Sequence, residues 1–499
     1  MMLTSRLAAL EASGLIRLAA VEPELEYLFR HALVQEAAYE TLLKTERRRL
    51  HLAVGEALEH LYAAQLDELA AALAHHFGLA EAHEKALGYL TRAANRARAA
   101  YANDEAVAFY RAAIEQANRR AYAATPSSDD WSAQSAQLHE QMGDVLEVMG
   151  RLEAARTAYD GALKCAPEAD CVARARLQRK IGRAWAVQFR YQEAADAFDL
   201  AERGLGAEPN EPVAAWQQEW IRIQLDRMRS LYWQGEWREI ARLVEQTQPI
   251  LQQYGTPALR CYFYDSLISV DERRNRYVIS NDVLGHARAW LAAAQESGEL
   301  RLIGEGHFQL GFCLLVHDDF DEAEEQLRAA EAIMRRMGDE LYLAFVLTYW
   351  SILYRRRGQP DAARPYILQA HAATKANKII PHLAVAEGNL AWLCLREQKM
   401  EVAHQHGLAA IELWSQSSFV YPFQWTAYLP LIAVALRNAE VAEGIQYARA
   451  LLGPTQQRLP DPLDALLTQA VQFFEQHQTD LAWSSLQQAI AAAEQMRYL

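Results

Sequence analysis

Proline and glycine are scarce in this sequence of 499 residues, at 15 and 23. Collagen-like and Pro-rich disordered chains are thereby excluded, and few breaks are available to interrupt helices. Cysteine is scarcer still: Cys165, Cys171, Cys261, Cys313 and Cys394 make an odd number, mostly far apart. Each stands among apolar helical residues as a small hydrophobe would, which speaks against a disulfide framework and for a reducing compartment. No apolar run reaches the roughly eighteen residues that a membrane-crossing helix needs. Glu11, Arg17, Glu22 and Glu24 break the stretch where a signal peptide would need an apolar core. A cytoplasmic protein with no membrane role is expected. Basic residues are in deficit, 50 Lys and Arg against 64 Asp and Glu, for a net charge of −14. A surface of that sign repels a phosphate backbone, so nucleic acid is not expected as a partner.

Catalytic signatures are missing as well. No Gly-x-x-x-x-Gly-Lys-Ser/Thr occurs, so the backbone cradle and lysine that hold a triphosphate are lacking, and there is no Gly-x-Ser-x-Gly elbow. Leu314 to Asp319 imitates a Walker B strand but falls at a helix end and turn of the repeat described next. Gly304, Gly306 and Gly311 are misplaced for a dinucleotide fingerprint. The pairs His75-His76 and His404/His406 lack the i, i+4 spacing and third ligand of a zinc site on a helix. Neither an enzyme, a cofactor nor a metal is expected.

What the sequence has in quantity is helix-forming residues in a repeating pattern. Apolar residues make up 51% and charged ones 23%, in long stretches of Ala, Leu, Glu and Arg. Met142-Gly143, Leu146, Gly150, Ala155, Tyr159, Ala162 and Pro167 give a small residue, a large one a turn later, a turn, then Ala, aromatic and Ala at helical spacing. This is the TPR pattern, in which small side chains let two antiparallel helices approach and large ones fill the gap to the next pair. The register returns at Ile181-Gly182, Trp185, Ala194, Phe198 and Ala201, and at Leu310-Gly311, Leu314, Ala323, Leu327 and Ala330. Weaker copies run through Trp350-Ser351 to Ala370 and Leu390-Ala391 to Ala410, and earlier ones lie at 69–98 and 103–118. The fold class expected is all-α, a TPR-like α-solenoid with a small partial winged-helix segment at its N-terminus.

Loops are expected where composition shifts, at Thr125 to Asp130, at Gly204 to Pro212 and at Leu452 to Pro462. Three segments follow: 1–63 as the partial winged helix, 64–451 as the repeat superhelix, and 452–499 as C-terminal capping helices. Pro430 should kink its helix. Near the start, Leu3 to Ala12 reads as a helix, Leu15 to Ala20 and Leu25 to Phe29 as short strands around Glu22-Pro23-Glu24, and a long helix begins near Arg30.

Helix, hairpin, helix is the second half of a winged helix, and here a family resemblance enters. Phe29-Arg30-His31-Ala32-Leu33-Val34-Gln35-Glu36-Ala37-Ala38-Tyr39, followed by Leu42-Leu43 and Arg47-Arg48-Arg49-Leu50-His51, resembles the winged-helix end of STAND-type signalling ATPases fused to class III nucleotide cyclases or LuxR-type regulators. The resemblance implies a P-loop ATPase domain before this point and a TPR-like sensor after it. It also implies that His31 is a nucleotide sensor in a longer parent protein, although Phe29-Arg30 and Ala32 depart from the Met-His-Asp motif.

Aromatic residues crowd two regions, Trp185 to Tyr277 and Tyr349 to Tyr428, the second including Phe419. Most are expected to be core between repeats, the rest to line the concave groove. Trp216 and Trp220 lie one helical turn apart, and Arg273, Arg274 and Arg276 follow Tyr262 and Tyr264. Aromatic platforms beside arginine forks suit a sugar, nucleotide or acidic peptide. Arg355-Arg356-Arg357 reads instead as a solvated basic turn. The function expected is a non-catalytic sensor or interaction module that binds a protein or peptide partner, or a small-molecule effector, in the concave groove. The alternative is a free-standing TPR scaffold with no small-molecule effector.

Overall fold

Where the repeat register places glycine, two helices cross with nothing between them. A computed structural model describes residues 2–20, 26–123, 129–207, 209, 213–417 and 420–499. The turn expected at Glu22 to Glu24, the strand start at Leu25, residues 125–128, part of the 204–212 loop and Phe419 lie outside the described residues. The described chain is an all-α, TPR-like solenoid of 24 helices plus one two-stranded hairpin. It packs as two compact units, 1–131 and 132–499.

The first unit opens with α1 (Met2–Ala12), then β1 (Ile16–Ala20) and β2 (Glu26–Phe29), an antiparallel pair with Ile16 opposite Phe29 and Leu18 opposite Tyr27. The single long helix expected from Arg30 is two helices, α2 (Ala32–Glu40) and α3 (Lys44–Leu61). They are separated at Leu43, which is extended at φ −63°, ψ 148°. Arg47 holds the break by donating to the Leu42 carbonyl at 2.9 Å and the Glu40 carbonyl at 2.9 Å. Next come α4 (Ala70–Leu79), α5 (His83–Ala99) and α6 (Asn103–Ala123).

The second unit is a run of helix pairs: α7 (Asp129–Val148) and α8 (Leu152–Cys165), α9 (Cys171–Val187) and α10 (Tyr191–Leu205), α11 (Ala214–Gln234) and α12 (Trp237–Tyr254). The run continues with α13 (Pro257–Arg274) and α14 (Asn281–Ser297), α15 (Leu300–Val316) and α16 (Phe320–Met337), α17 (Glu340–Arg356) and α18 (Pro360–Ala376). It ends with α19 (Ile380–Arg396) and α20 (Met400–Ser415), α21 (Trp425–Arg437) and α22 (Val441–Leu451), α23 (Asp461–Glu475) and α24 (Thr479–Gln495). Asp129 and Asp130, expected in a loop, begin α7.

The pairing follows the sequence register. A Cβ added to Gly143 would sit 2.5 Å from the Tyr159 ring, one at Gly182 2.7 Å from the Phe198 ring, and one at Gly311 3.1 Å from Leu327. The partner stands at the same offset each time, so the repeat is a steric rule written into the sequence. Gly182→Ala is expected to lose about 1–3 kcal/mol by overpacking, because the Ala194 carbonyl at 3.2 Å leaves the new methyl no retreat. Gly285→Ala, in the interior of α14 with no atom within 4 Å of the new Cβ, is expected to gain about 0.5–1 kcal/mol through the unfolded chain's lost freedom. Urea denaturation of both variants measures the two signs; a neutral or stabilising Gly182→Ala would refute the close crossing.

The second unit closes on itself. The loop expected at Leu452 to Pro462 is packed in part: Gln456 is 2% and Leu459 2% exposed. Arg276 donates to the carbonyls of Gln456 at 3.0 Å and Gly453 at 3.3 Å, while the Arg458 amide donates back to the Arg276 carbonyl at 2.9 Å. Aromatic contacts complete the closure, with Trp233 stacked on Tyr421 at 6.2 Å and Tyr277 against Phe423 at 4.8 Å.

Candidate functional site: an aromatic lumen

Closure turns the concave face into a lumen, a cavity of about 170 Å³. Nearly all its wall comes from the first helix of successive pairs, α7 through α19, because in this architecture the first helices face inward. The helices that contribute several residues present them as stripes at helical spacing. From α13 come Tyr262, Asp265, Ser269 and Glu272; from α15 Arg301, Glu305, Phe308 and Phe312; from α17 Tyr342, Phe345 and Tyr349. Opposite them α11 presents Asp226, Arg229, Tyr232 and Trp233.

The wall is aromatic and charged at once. Arg183 pairs with Glu147 at 2.7 Å, and Tyr159 donates to the same carboxylate at 2.9 Å. Arg301 lies 3.2 Å from both Glu305 and Asp339. Asp226 is held from behind by Arg179 at 2.7 Å, which also pairs with Glu219 at 2.6 Å. Arg229 donates to the Tyr342 hydroxyl at 3.2 Å across the lumen. Two wall carboxyls, Asp265 and Glu272, have no ion-pair partner within 4 Å among the described residues, and Glu272 Oε1 is buried with no hydrogen-bond partner. His382 is enclosed by rings, with Phe345 at 4.7 Å and Tyr421 at 5.5 Å, and burial pushes its pKa down to about 3, so the imidazole is neutral.

These environments split the carboxyls. Burial acts to raise Glu147, but the charges of Arg183 and Arg301 and the bonds from Arg183 and Tyr159 overcome it and hold its pKa at about 2. Burial, with Asp265 nearby, raises Glu272 to about 8 despite Tyr232 and Arg273. Asp265 is also raised, by burial first. The two directions have opposite consequences for folding. Glu147 is depressed, so its contribution is present above the ordinary glutamate value near 4.5 and is lost as pH falls toward about 2. Glu272 is raised, so stability is fully present below about 4.5 and is lost as pH rises through about 8. The slope from one proton is at most about 1.4 kcal/mol per pH unit. Glu272→Gln is therefore expected to flatten the fall in stability between about pH 4.5 and 8 and to leave the acid limb below that window in place. An unchanged slope across that window would contradict the isolation of this carboxyl.

The residues expected as a site separate into groups. Tyr262 lines the lumen. Arg273 lies over the ring of the wall residue Tyr232 at 4.5 Å. Trp216 is core: it packs with Phe198, Ala201 and Leu205, and its indole donates to the Leu205 carbonyl at 3.2 Å. Trp220 is half-buried between that cluster and the next one along. Tyr264 packs behind the wall and stacks on His286 at 6.3 Å. Arg274 pairs with Asp271 on the exposed side of α13. Arg276 is the clasp of the closure described above. His31 is exposed at the start of α2 and makes no side-chain cap bond.

The Arg355–Arg357 run departs from the solvated turn expected of it: Arg355 is fully buried and Arg356 is 5% exposed. Arg356 reaches Asp318 at 2.9 Å and lies 3.8 Å over the Tyr498 ring. The acidic turn Asp318-Asp319 is thus a structural anchor, with His317 bonded to Asp319 at 2.7 Å. His76 shares a contact of 3.0 Å with His51, which Tyr39 meets at 3.0 Å. Among the described residues no group of three or more His, Cys, Asp or Glu is placed to hold a metal ion, and no helix is long and apolar enough to cross a membrane.

Sequence reasoning passed over Arg183, Arg229, Asp265, Glu272, Arg301 and Glu305. A signal existed: Arg301 and Glu305 are the only charged residues in α15.

No family model matches the sequence, and no curated protein matches it. Among solved structures, the chain is similar to a Rap protein complexed with Competence and Sporulation Factor, at TM-score 0.51 and 13% identity, over 74% of this chain and 97% of that one. It also resembles a Signal Transduction ATPase with Numerous Domains (STAND) protein with a tetratricopeptide repeat sensor from Pyrococcus horikoshii, at TM-score 0.46 and 14% identity, over 94% of this chain and 60% of that one. The Rap likeness agrees with the helical-repeat fold, and at 13% identity it speaks to the fold alone.

Proposed function

We propose that this chain is the non-catalytic sensor array of a STAND-type signalling ATPase, acting in the cytoplasm and binding its effector in the lumen of the second unit. The observation that carries the reading is the lumen itself. Ionised groups and aromatic faces are held there at a desolvation cost that a purely structural core would avoid with aliphatic side chains. A pocket with a mostly apolar wall and a few convergent polar groups suits a ligand. An array of this fold, the Rap protein, has been solved in complex with Competence and Sporulation Factor. The wall offers no nucleophile activated by a base, which favours binding over catalysis.

The link to a preceding ATPase domain rests on the resemblance around Phe29 to His51 and on the first unit's surface. Leu33 is 77%, Leu43 76% and Leu61 72% exposed, and Leu28 and Phe29 are exposed as well. Exposed apolar side chains of this size are open to a docked neighbour. That surface also weighs against the second reading, a free-standing scaffold, which would have no use for it.

A thermal-shift screen of nucleotides, sugars, peptides and amines on the purified chain tests the binding function. A ligand at a hundredfold over its Kd is expected to add about 2.7 kcal/mol of stability. The absence of any shift across all four classes would contradict it.

A further inference from the structure

One buried acceptor on the lumen wall has no donor, and the groups around it specify a ligand. Three arginines and five carboxyls reach the wall: Arg183, Arg229 and Arg301 against Glu147, Asp226, Asp265, Glu272 and Glu305. Arg183 is matched by Glu147 and Arg301 by Glu305, while Asp226 is matched from outside the wall by Arg179. What remains are Arg229, whose charge acts on Asp265, and Glu272, whose nearby cation is Arg273 just outside the wall. Glu272 is 2% exposed, and its Oε1 has no partner although it stands at the cavity wall. Arg273, its chain neighbour, directs its guanidinium over the Tyr232 ring, 4.5 Å from the centroid. A buried carboxyl left in this state is a site waiting for a donor. Tyr232, Trp233, Tyr262 and Phe308 also stand on the wall, and electron-rich ring faces attract cations in a desolvated site.

We propose that the lumen binds an organic monocation, an ammonium or guanidinium on an apolar body, with its charge at Asp265 and Glu272 and its body against the neighbouring rings. The proposal rests on the lumen being the binding site. A cation brings the donor that Glu272 Oε1 lacks, and an anion brings none. The groups facing Glu272 are Tyr232 on α11, Asp265, Asp271 and Arg273 on α13, Tyr277 after it, Cys313 on α15 and Tyr349 on α17. Arg273 is the one cation in that set, and it gives Glu272 Oε1 no hydrogen bond. With its pKa raised to about 8, Glu272 is mostly protonated at neutral pH in the free protein. Binding therefore expels a proton, and affinity rises as pH climbs toward about 8.

The test is calorimetric titration of the full chain with phenethylamine, tetramethylammonium and agmatine, beside the neutral phenethyl alcohol and the anionic phenylpropionate. At least one of the amines is expected to bind, with a heat that depends on the buffer's ionisation enthalpy. The alcohol and the acid are expected to bind at least tenfold more weakly. Asp265→Asn and Glu272→Gln are expected to fold, since each replaces a buried carboxyl by an amide of the same shape, and to weaken amine binding at least tenfold. Glu272→Gln should also abolish the buffer dependence. The proposal is overturned if no cation binds, if the alcohol or acid binds as tightly, or if both variants keep amine affinity. Ser269→Phe, which fills the lumen, separates the two levels. If it abolishes binding of a neutral or anionic ligand, the lumen stands and the charge assignment falls. If it leaves amine binding intact, both fall.

Discussion

Replacing Arg355 by methionine is expected to destabilise the second unit by about 3–5 kcal/mol, the largest effect of any single substitution foreseen in this chain. The reason begins with a proline. Pro430 lies inside α21 and has no N–H, so the Thr426 carbonyl one turn earlier lacks its helical donor. Arg355, fully buried on α17, supplies that donor at 2.8 Å. The same guanidinium donates to Asn389 Oδ1 at 3.0 Å and twice to the Tyr498 carbonyl, at 3.1 Å and 2.8 Å. It lies 4.9 Å from the centroid of Trp425. One side chain thus ties α17, α19, α21 and the last residues of the chain together.

Each buried acceptor stripped of its donor costs about 1–3 kcal/mol, and three oxygens are stripped here. Part of that is offset because a guanidinium no longer has to be desolvated. Arg355→Lys should recover only a fraction, since a single ammonium does not reproduce the planar fork. Urea denaturation checks this. A methionine variant within about 1 kcal/mol of wild type would show that the acceptors find other partners.

Arg355 also shows what the sequence made legible and what it did not. The helix pairs could be read because their rule is local: Gly143 with Tyr159, Gly182 with Phe198 and Gly311 with Leu327 stand at one fixed offset. The hairpin of β1 and β2 could be read for the same reason. Arg355-Arg356-Arg357 looked like a solvated turn because charge runs usually are. What buries them is Tyr498, which returns from the far end of the chain. The lumen is a similar case. Tyr262 was found because it stands in an aromatic cluster. Trp216, in the neighbouring cluster, is core, because its stripe meets Phe198 and Leu205 instead of the inner face. Arg229 and Tyr342 meet only because the array closes on itself, and no periodicity in the sequence announces that closure.

The second large effect concerns binding. Ser269 stands on the lumen wall at 8% exposure, between Asp265 and Glu272 along one face of α13. A phenyl ring there takes up much of a cavity of about 170 Å³ and displaces whatever the lumen holds. Loss of at least a hundredfold in affinity is expected, with helicity unchanged by circular dichroism. Gln309→Phe, from the facing stripe of α15, serves the same purpose if Ser269→Phe packs poorly.

The most direct measurement is therefore a paired thermal-shift titration of wild-type and Ser269→Phe protein with the strongest ligand of the screen. If the lumen is the binding site, the ligand raises the wild-type Tm in a concentration-dependent way and leaves the filled variant's Tm where it stands without ligand. Equal shifts in the two proteins would place the ligand elsewhere on the array and contradict the lumen as the site.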